Sequence, residues 1–227
     1  MSLILSIETA TEVCSVALHD NGKAVAECNL FLQKAHSTSL ASLTGQIFEL
    51  TGQKKTDLEA VAISKGPGSY TGLRIGTSLA KGICYGLDIP LISINTLEAM
   101  AWQVKSIFPG KILCPMIDAR RMEVYHLLKD AHFNTIQETI NLIIDSTSFS
   151  TLLKGQSVCF FGNGAEKCKN FLGNYPNALF VDNIHASAKY IGELAFKKYL
   201  CQDFEDLAYF EPYYLKEFVA GKPKKLV

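Results

Sequence analysis

The chain opens with a continuous apolar run over residues 2–7, followed by β-like stretches at 13–18 and 23–32. Short runs of this kind, bounded by turn residues, predict strands. Asp20-Asn21-Gly22 separates the second from the third. Asn-Gly with Asp ahead of it predicts a hairpin, because a type I′ turn needs positive φ at both central positions. The period then lengthens. Leu40, Leu43, Ile47 and Leu50 recur at three- and four-residue steps until Gly52, which predicts a helix over 36–50. A strand at 61–64, a tight loop at 65–72, a helix at 73–87, a strand at 91–94 and a helix at 97–107 follow. Phe108-Pro109-Gly110 then breaks the pattern, and divides the chain into lobes 1–109 and 110–227.

The second half starts again with strands at 112–117, 123–128 and 135–138. A helix over 146–153 with Ser146 as its cap comes next, then a strand at 157–161, a helix at 164–171, a strand at 178–181 and an amphipathic helix at 186–200. The stretch through Pro212-Tyr213-Tyr214-Leu215-Lys216 is irregular and ends basic. Both halves therefore read strand, strand, strand, helix, strand, helix, strand, helix, without a sequence repeat of 20–50 residues. Both first strands finish on an acid and a small residue, Glu8-Thr9-Ala10 and Asp118-Ala119. This predicts a duplicated α/β fold, two mixed sheets flanked by helices with strand ends facing a common cleft.

Composition narrows the function classes. Of 227 residues, 48% are hydrophobic and 19% charged, with 22 basic against 22 acidic side chains. A disordered or collagenous chain is excluded. Zero net charge argues against duplex binding through a broad basic face, and a neutral, apolar-rich chain fits burial against a partner. Seven cysteines, an odd number with no CxxC, read as reduced thiols of a cytoplasmic protein. The opening residues meet an acid at Glu8 with no basic stretch before it, so neither a signal peptide nor a membrane span is expected.

Few segments suggest chemistry. The loop Lys65-Gly66-Pro67-Gly68-Ser69-Tyr70-Thr71-Gly72 reads either as an anion cradle or as a turn in which Gly supplies positive φ and Ser69 or Thr71 caps the next helix. It matches neither the P-loop nor the dinucleotide pattern. That helix holds Gly76, Ala80, Gly82 and Gly86, small residues that suit close helix packing within the chain or with another. Glu8 and Asp118 are the candidate cleft pair, as metal-holding acids or as turn caps. No glycine follows either, which argues against phosphate binding there. His19, His36, His126, His132 and His185 form no zinc motif, and no GxSxG occurs. Lys222-Pro223-Lys224-Lys225, the one basic cluster, reads as a solvated end.

Three segments resemble signatures of the bacterial TsaB (YeaZ) family. They are Val61-Ala62-Ile63-Ser64-Lys65-Gly66-Pro67-Gly68-Ser69-Tyr70-Thr71-Gly72-Leu73-Arg74-Ile75-Gly76 with Ala80-Lys81-Gly82, then Ile117-Asp118-Ala119-Arg120-Arg121-Met122-Glu123-Val124-Tyr125, and Pro212-Tyr213-Tyr214-Leu215-Lys216. The resemblance implies a two-lobed actin-like, Hsp70-like (ribonuclease H-like, ASKHA) fold. It also implies a role in making N6-threonylcarbamoyladenosine at position 37 of tRNAs that read ANN codons. The partners implied are the catalytic paralogue TsaD and the ATPase TsaE, with tRNA reached through the complex only, and a homodimer when the chain is alone. TsaD-type paralogues carry a His-Leu-Glu-Gly-His metal motif where this chain has Thr96-Leu97-Glu98-Ala99-Met100. The resemblance thus implies a non-catalytic subunit without a cofactor or metal of its own, ATP and the ion being handled by its partners. The partner-binding surface carried over is His36, Leu40, Leu43 and Ile47 with Leu73, Thr77, Ala80 and Cys84. Glu8, Gly66, Gly68 and Asp118 stay as a candidate nucleotide cleft. The rival readings are an actin-like ATPase or kinase using Glu8 and Asp118 with Mg²⁺, and a metal-dependent glycoprotease-like peptidase.

Overall fold

The computed structural model describes residues 2–32 and 35–216. Leu3–Glu8 (β1), Cys14–Asp20 (β2) and Lys23–Leu30 (β3) form the opening meander. Asn21 and Gly22 take φ of 48° and 76°, the left-handed pair the sequence anticipates. His36–Thr51 (α1), Leu58–Gly66 (β4), Tyr70–Leu87 (α2), Leu91–Asn95 (β5) and Thr96–Val104 (α3) complete the first half. Ile112–Asp118 (β6), Glu123–Lys129 (β7), Thr135–Ile143 (β8), Ser150–Gly155 (α4), Val158–Phe161 (β9), Lys169–Leu172 (α5), Ala178–Val181 (β10) and Ala188–Leu200 (α6) make the second.

The first sheet has the order β3-β2-β1-β4-β5 and the second, read from its far edge, β8-β7-β6-β9-β10. In each, the first three strands are antiparallel neighbours and the last two run parallel to the first. The same topology twice is the duplicated, two-lobed actin-like α/β fold. Among the described residues, no helix is long and apolar enough to cross a membrane.

Strand alternation decides what packs where. Leu3, Leu5 and Ile7 of β1 face α1 and α2, sharing a core with Leu40, Ile47, Ala80 and Cys84. Ile4, on the opposite face, joins Ala60, Ala62 and Ile92 against Ile191, Leu194 and Ala195 of α6. Each fully buried Leu or Ile contributes roughly 1.5–3 kcal/mol. The second sheet is covered on one face by residues of α4 and α5 and on the other by Leu97, Met100, Ala101 and Val104 of α3. The break at Pro109-Gly110 falls between the two sheets, yet α6 packs on the first. Residues 188–200 are therefore not confined to the lobe that begins at residue 110.

Residues 205–216 return over the first lobe as a strap. Glu205 bridges to Leu91, and Phe210 is buried in the first core. The Lys81 ammonium donates to the Ala208 and Phe210 carbonyls at 3.1 and 3.3 Å. The Tyr213 N–H donates to Lys65 O at 2.7 Å. Lys216 then crosses to pair with Glu123 on β7.

Several predicted elements differ. Ser146 caps nothing. Asp145 instead accepts the Thr147 and Ser148 N–H groups at 2.8 and 2.9 Å, so a carboxylate turn takes the place of the first helical turn, and α4 starts at Ser150. The helix expected over 164–171 is a 3₁₀ turn, Glu166–Cys168, running into the four-residue α5. α3 stops at Val104, short of residue 107. The basic tail at 222–225 lies outside the described residues.

Candidate functional site

The parallel strands β1, β4 and β5 end together, the position where open α/β sheets place ligands. Glu8 closes β1 there and is wholly buried. Its Oε1 accepts from the Ala10 N–H at 2.6 Å and the Ser64 hydroxyl at 3.0 Å, while Oε2 is buried without a partner. Burial raises its pKa from 4.5 to about 7, against the opposing pull of the Ala10, Ser64 and Thr9 hydrogen bonds.

What encloses Glu8 is the glycine loop. A Cβ on Gly68 would lie 2.3 Å from Ala10 O, one on Gly72 2.1 Å from Thr9 O, and one on Gly76 2.3 Å from Thr9 Oγ1. These glycines let the start of α2 press against the β1–β2 turn. The Ser69 N–H is taken by Ala10 O at 2.7 Å, and the Ser69 hydroxyl accepts from the Gly72 N–H at 3.2 Å as the cap of α2. Gly66, at φ 111°, faces the strap, its would-be Cβ 2.8 Å from Tyr213 O. Of the two sequence readings of this loop, the structure realises the turn and cap. A Cβ on Gly68 or Gly66 would meet Ala10 or Tyr213 O respectively, so both glycines serve close backbone approach.

Asp118 ends β6 at the equivalent point of the second sheet but is exposed. Its Oδ1 accepts the Arg120 N–H at 2.8 Å and an ammonium hydrogen of Lys167. Lys167 also donates to Arg121 O at 2.9 Å and Glu123 O at 2.6 Å, so an internal cation stands beside the carboxylate. Glu8 and Asp118 thus differ in setting, one enclosed and one salt-bridged, with separate partners.

The stretch at Thr96–Met100 starts α3. Asn95 caps it, its side-chain oxygen accepting from the Leu97 and Glu98 N–H groups at 2.9 and 3.2 Å. Leu97 and Met100 are core residues, and Met100 Cε lies 2.6 Å from where a Cβ on Gly162 would be. Glu98 pairs with Lys129 at 2.8 Å. Thr96 offers one buried hydroxyl without a partner. A lone hydroxyl, a core thioether and a salt-bridged carboxylate do not fit a bound transition metal. Among the described residues, no group of three His, Cys, Asp or Glu could hold an ion.

The residues carried over as the partner surface lie on the inner sides of α1 and α2. Leu40, Ile47, Leu73, Ala80 and Cys84 are buried core, Thr77 and His36 nearly so, and Leu43 is half-buried against the same core. They fasten the helix pair to the sheet and are not its exposed surface. The outward side carries Ala41, Ser42 and Gln46 on α1 and Ser78, Gly82, Tyr85 and Gly86 on α2. A Cβ on Gly45, Gly82 or Gly86 would meet nothing within 4 Å, and Tyr85 is 84% exposed. Periodicity marked the buried stripe. Gly82 and Gly86, singled out in the sequence for close packing, are the residues that lie open.

The family model described as TsaD, tRNA N6-adenosine threonylcarbamoyltransferase, matches residues 31–217. The tRNA threonylcarbamoyladenosine biosynthesis protein TsaB of Haemophilus influenzae is 35% identical over 122 residues, covering 54% of this chain and 51% of that protein. TsaB of Escherichia coli is 38% identical over 122 residues, covering 54% and 52%. The matched stretch is thus about half the length of these curated relatives. The solved structure of YeaZ from Pseudomonas aeruginosa superposes with a TM-score of 0.76 at 21% identity, covering 95% of this chain and all of that one, a likeness of fold.

Proposed function

The chain belongs to the TsaB (YeaZ) family, within the wider family of the TsaD model, and from that premise we propose that it is a non-catalytic subunit of the machinery that forms N6-threonylcarbamoyladenosine on tRNA. In this reading it binds and supports a TsaD-type paralogue. TsaE supplies ATPase function, and the metal and nucleotide belong to those partners.

The observation that carries the reading is the pair Thr96 and Met100. They stand where the TsaD-type motif has its two histidines, and Met100 is committed to the core of the second lobe. The glycine loop matches neither the P-loop nor the dinucleotide pattern, and its glycines serve close packing against Thr9, Ala10 and the strap, which favours this reading over an actin-like ATPase.

The docking surface in this reading is the outward side of α1 and α2. Small residues there let a partner helix approach closely, while Tyr85 and Leu50, 76% exposed, offer apolar area to bury. Gly82→Arg tests it, because the side chain has open space in the free chain and the fold should be kept. Pull-down of a TsaD-type paralogue should fall at least about tenfold, since a bulky charge would be trapped in the contact. Unchanged pull-down by the folded variant removes this surface from the proposal. Reconstitution with tRNA, ATP, threonine and bicarbonate tests the rest. Modified adenosine formed without the TsaD-type protein would make the chain itself catalytic.

A further inference from the structure

Trp102 of α3 touches elements of both lobes. Its indole N–H donates to Glu193 of α6 at 2.9 Å, and its ring meets Phe133, in the turn between β7 and β8, edge to face at 5.1 Å. Two lysines share that indole. Lys197 of α6 places its ammonium 3.5 Å from the ring centre, and Lys105, the residue after α3, places its own at 4.8 Å. The Lys105 ammonium also lies 5.2 Å from the centre of Phe133.

The cations on either side are neutralised. Lys198, the next residue of α6, pairs with Asp203 at 2.9 Å, and Lys129 pairs with Glu98 at 2.8 Å. Among the described residues, neither Lys105 nor Lys197 has a carboxylate within ion-pair distance. The attraction of the ring face for a cation keeps the Lys197 side chain on the indole. There, loss of water and then the Lys105 charge lower its pKa from 10.5, against the opposing pull of Glu193 and Glu98. Desolvation and a neighbouring cation are the two means by which a lysine amine becomes a nucleophile. Lys197 is nonetheless exposed, so a reagent can reach it.

We propose that Lys197 is a site of acylation by acyl phosphates, with Lys105 holding the phosphate. Two amines gathered on one ring suit a reagent whose charged end and reactive carbon are adjacent, and lysine binds phosphate as a point charge. The uncharged Nζ attacks the carbonyl carbon. The C–N bond forms, the C–O bond to the phosphate breaks, inorganic phosphate leaves with the electron pair, and the proton released from nitrogen passes to water. The amide carries no charge, so the cation on Trp102 and its repulsion by Lys105 are both removed. Because Trp102 touches α6 and the β7–β8 turn, that change falls where the lobes meet.

The test treats the full chain with acetyl phosphate at about pH 7.5 and follows each lysine by site-resolved mass spectrometry. Lys198 is the internal reference, on the same helical turn but engaged by Asp203. Rates are read relative to it in the same molecule, so a general change in a variant's fold cancels. Lys197 should acetylate at least about tenfold faster than Lys198. Lys105→Met should slow Lys197 at least about tenfold with acetyl phosphate, and much less with the uncharged donor N-acetoxysuccinimide. The fluorescence of Trp102, the one tryptophan of the chain, should shift in step with modification. Equal rates at Lys197 and Lys198 overturn the proposal. So does a Lys105→Met chain that is not slowed, or that is slowed equally with both donors, because Lys105 then holds no phosphate. Fluorescence that stays constant while Lys197 is modified would place that amine away from the indole and overturn it as well.

Discussion

Replacing Glu8 by Gln changes one charge in a fully enclosed site and almost nothing in shape. The acid's folded pKa is about 7 against 4.5 for an accessible carboxyl, so between those values the folded state holds a proton that the unfolded chain gives up. A raised carboxyl pKa contributes stability that is present below the unfolded value and lost as pH rises through the folded one. About 2.5 units corresponds to roughly 3 kcal/mol, or some 6–12 °C in melting temperature for a chain of this size. Gln keeps the oxygen that accepts from Ala10 and Ser64, and its amide nitrogen inherits the unpartnered place of Oε2. Near pH 4.5 the two proteins should therefore differ little. Above about pH 7.5 the variant should be more stable by up to roughly 3 kcal/mol, reading the difference between urea unfolding curves at matched pH. A difference that stays flat between about pH 4.5 and 8 would show that Glu8 is not held neutral, and would refute the enclosure argument.

Two other expectations come from the same neighbourhoods. Gly76→Ala should destabilise by about 1–3 kcal/mol, because its methyl would meet Thr9 Oγ1 at 2.3 Å, whereas Gly82→Ala should stabilise α2 by about 1 kcal/mol; denaturant midpoints that move the same way would contradict the packing described. His126 is buried against Phe149 with Nδ1 unpartnered, and burial lowers its pKa to about 4. A lowered histidine pKa gives stability that is present above the unfolded value near 6.5 and lost as pH falls towards 4, up to roughly 3 kcal/mol, so the stability of His126→Phe relative to the native chain should rise as pH falls through that range. Since Glu8 acts with the opposite sign over much of the same range, the native chain's profile should be nearly level there, and both singles are needed to expose it. A native-minus-variant difference that stays flat between about pH 4 and 6.5 would show that His126 is not held neutral.

Much of the architecture was legible because apolar periodicity reports burial. The apolar runs of β1, β2, β6 and β9 are buried, with only the terminal Asp20 and Asp118 reaching solvent, and Leu40 and Ile47 face the sheet as their spacing required. β8 runs past the 135–138 read from the sequence because it is an edge strand, mostly exposed, whose pairing with β7 continues through the polar Glu138 and Thr139 to Ile140, Leu142 and Ile143. The exposed side of α1 and α2 was not legible for the converse reason. A periodic stripe marks what a chain buries within itself, and a surface of Ser, Gly and Ala carries no pattern of its own. Nor does any local sequence signal show that Arg120 and Arg121 stand left-handed, at φ 69° and 48°, where Lys167, distant in sequence, gathers the Arg121 and Glu123 carbonyls. Glu8 stood out as an acid at a strand end, but its enclosure depends on three glycines 60 to 68 residues later.

The course of the last third of the chain has a consequence during synthesis. Ile4, Ala60, Ala62 and Ile92 are made early, yet the helix that shields them is residues 188–200, and Phe210 joins the opposite core later still. Domains usually fold in the order they leave the ribosome, at about 5–20 residues per second. Here the nascent first sheet must wait, that face without α6, for several seconds until residues 188–200 are made, an interval in which a chaperone would find it.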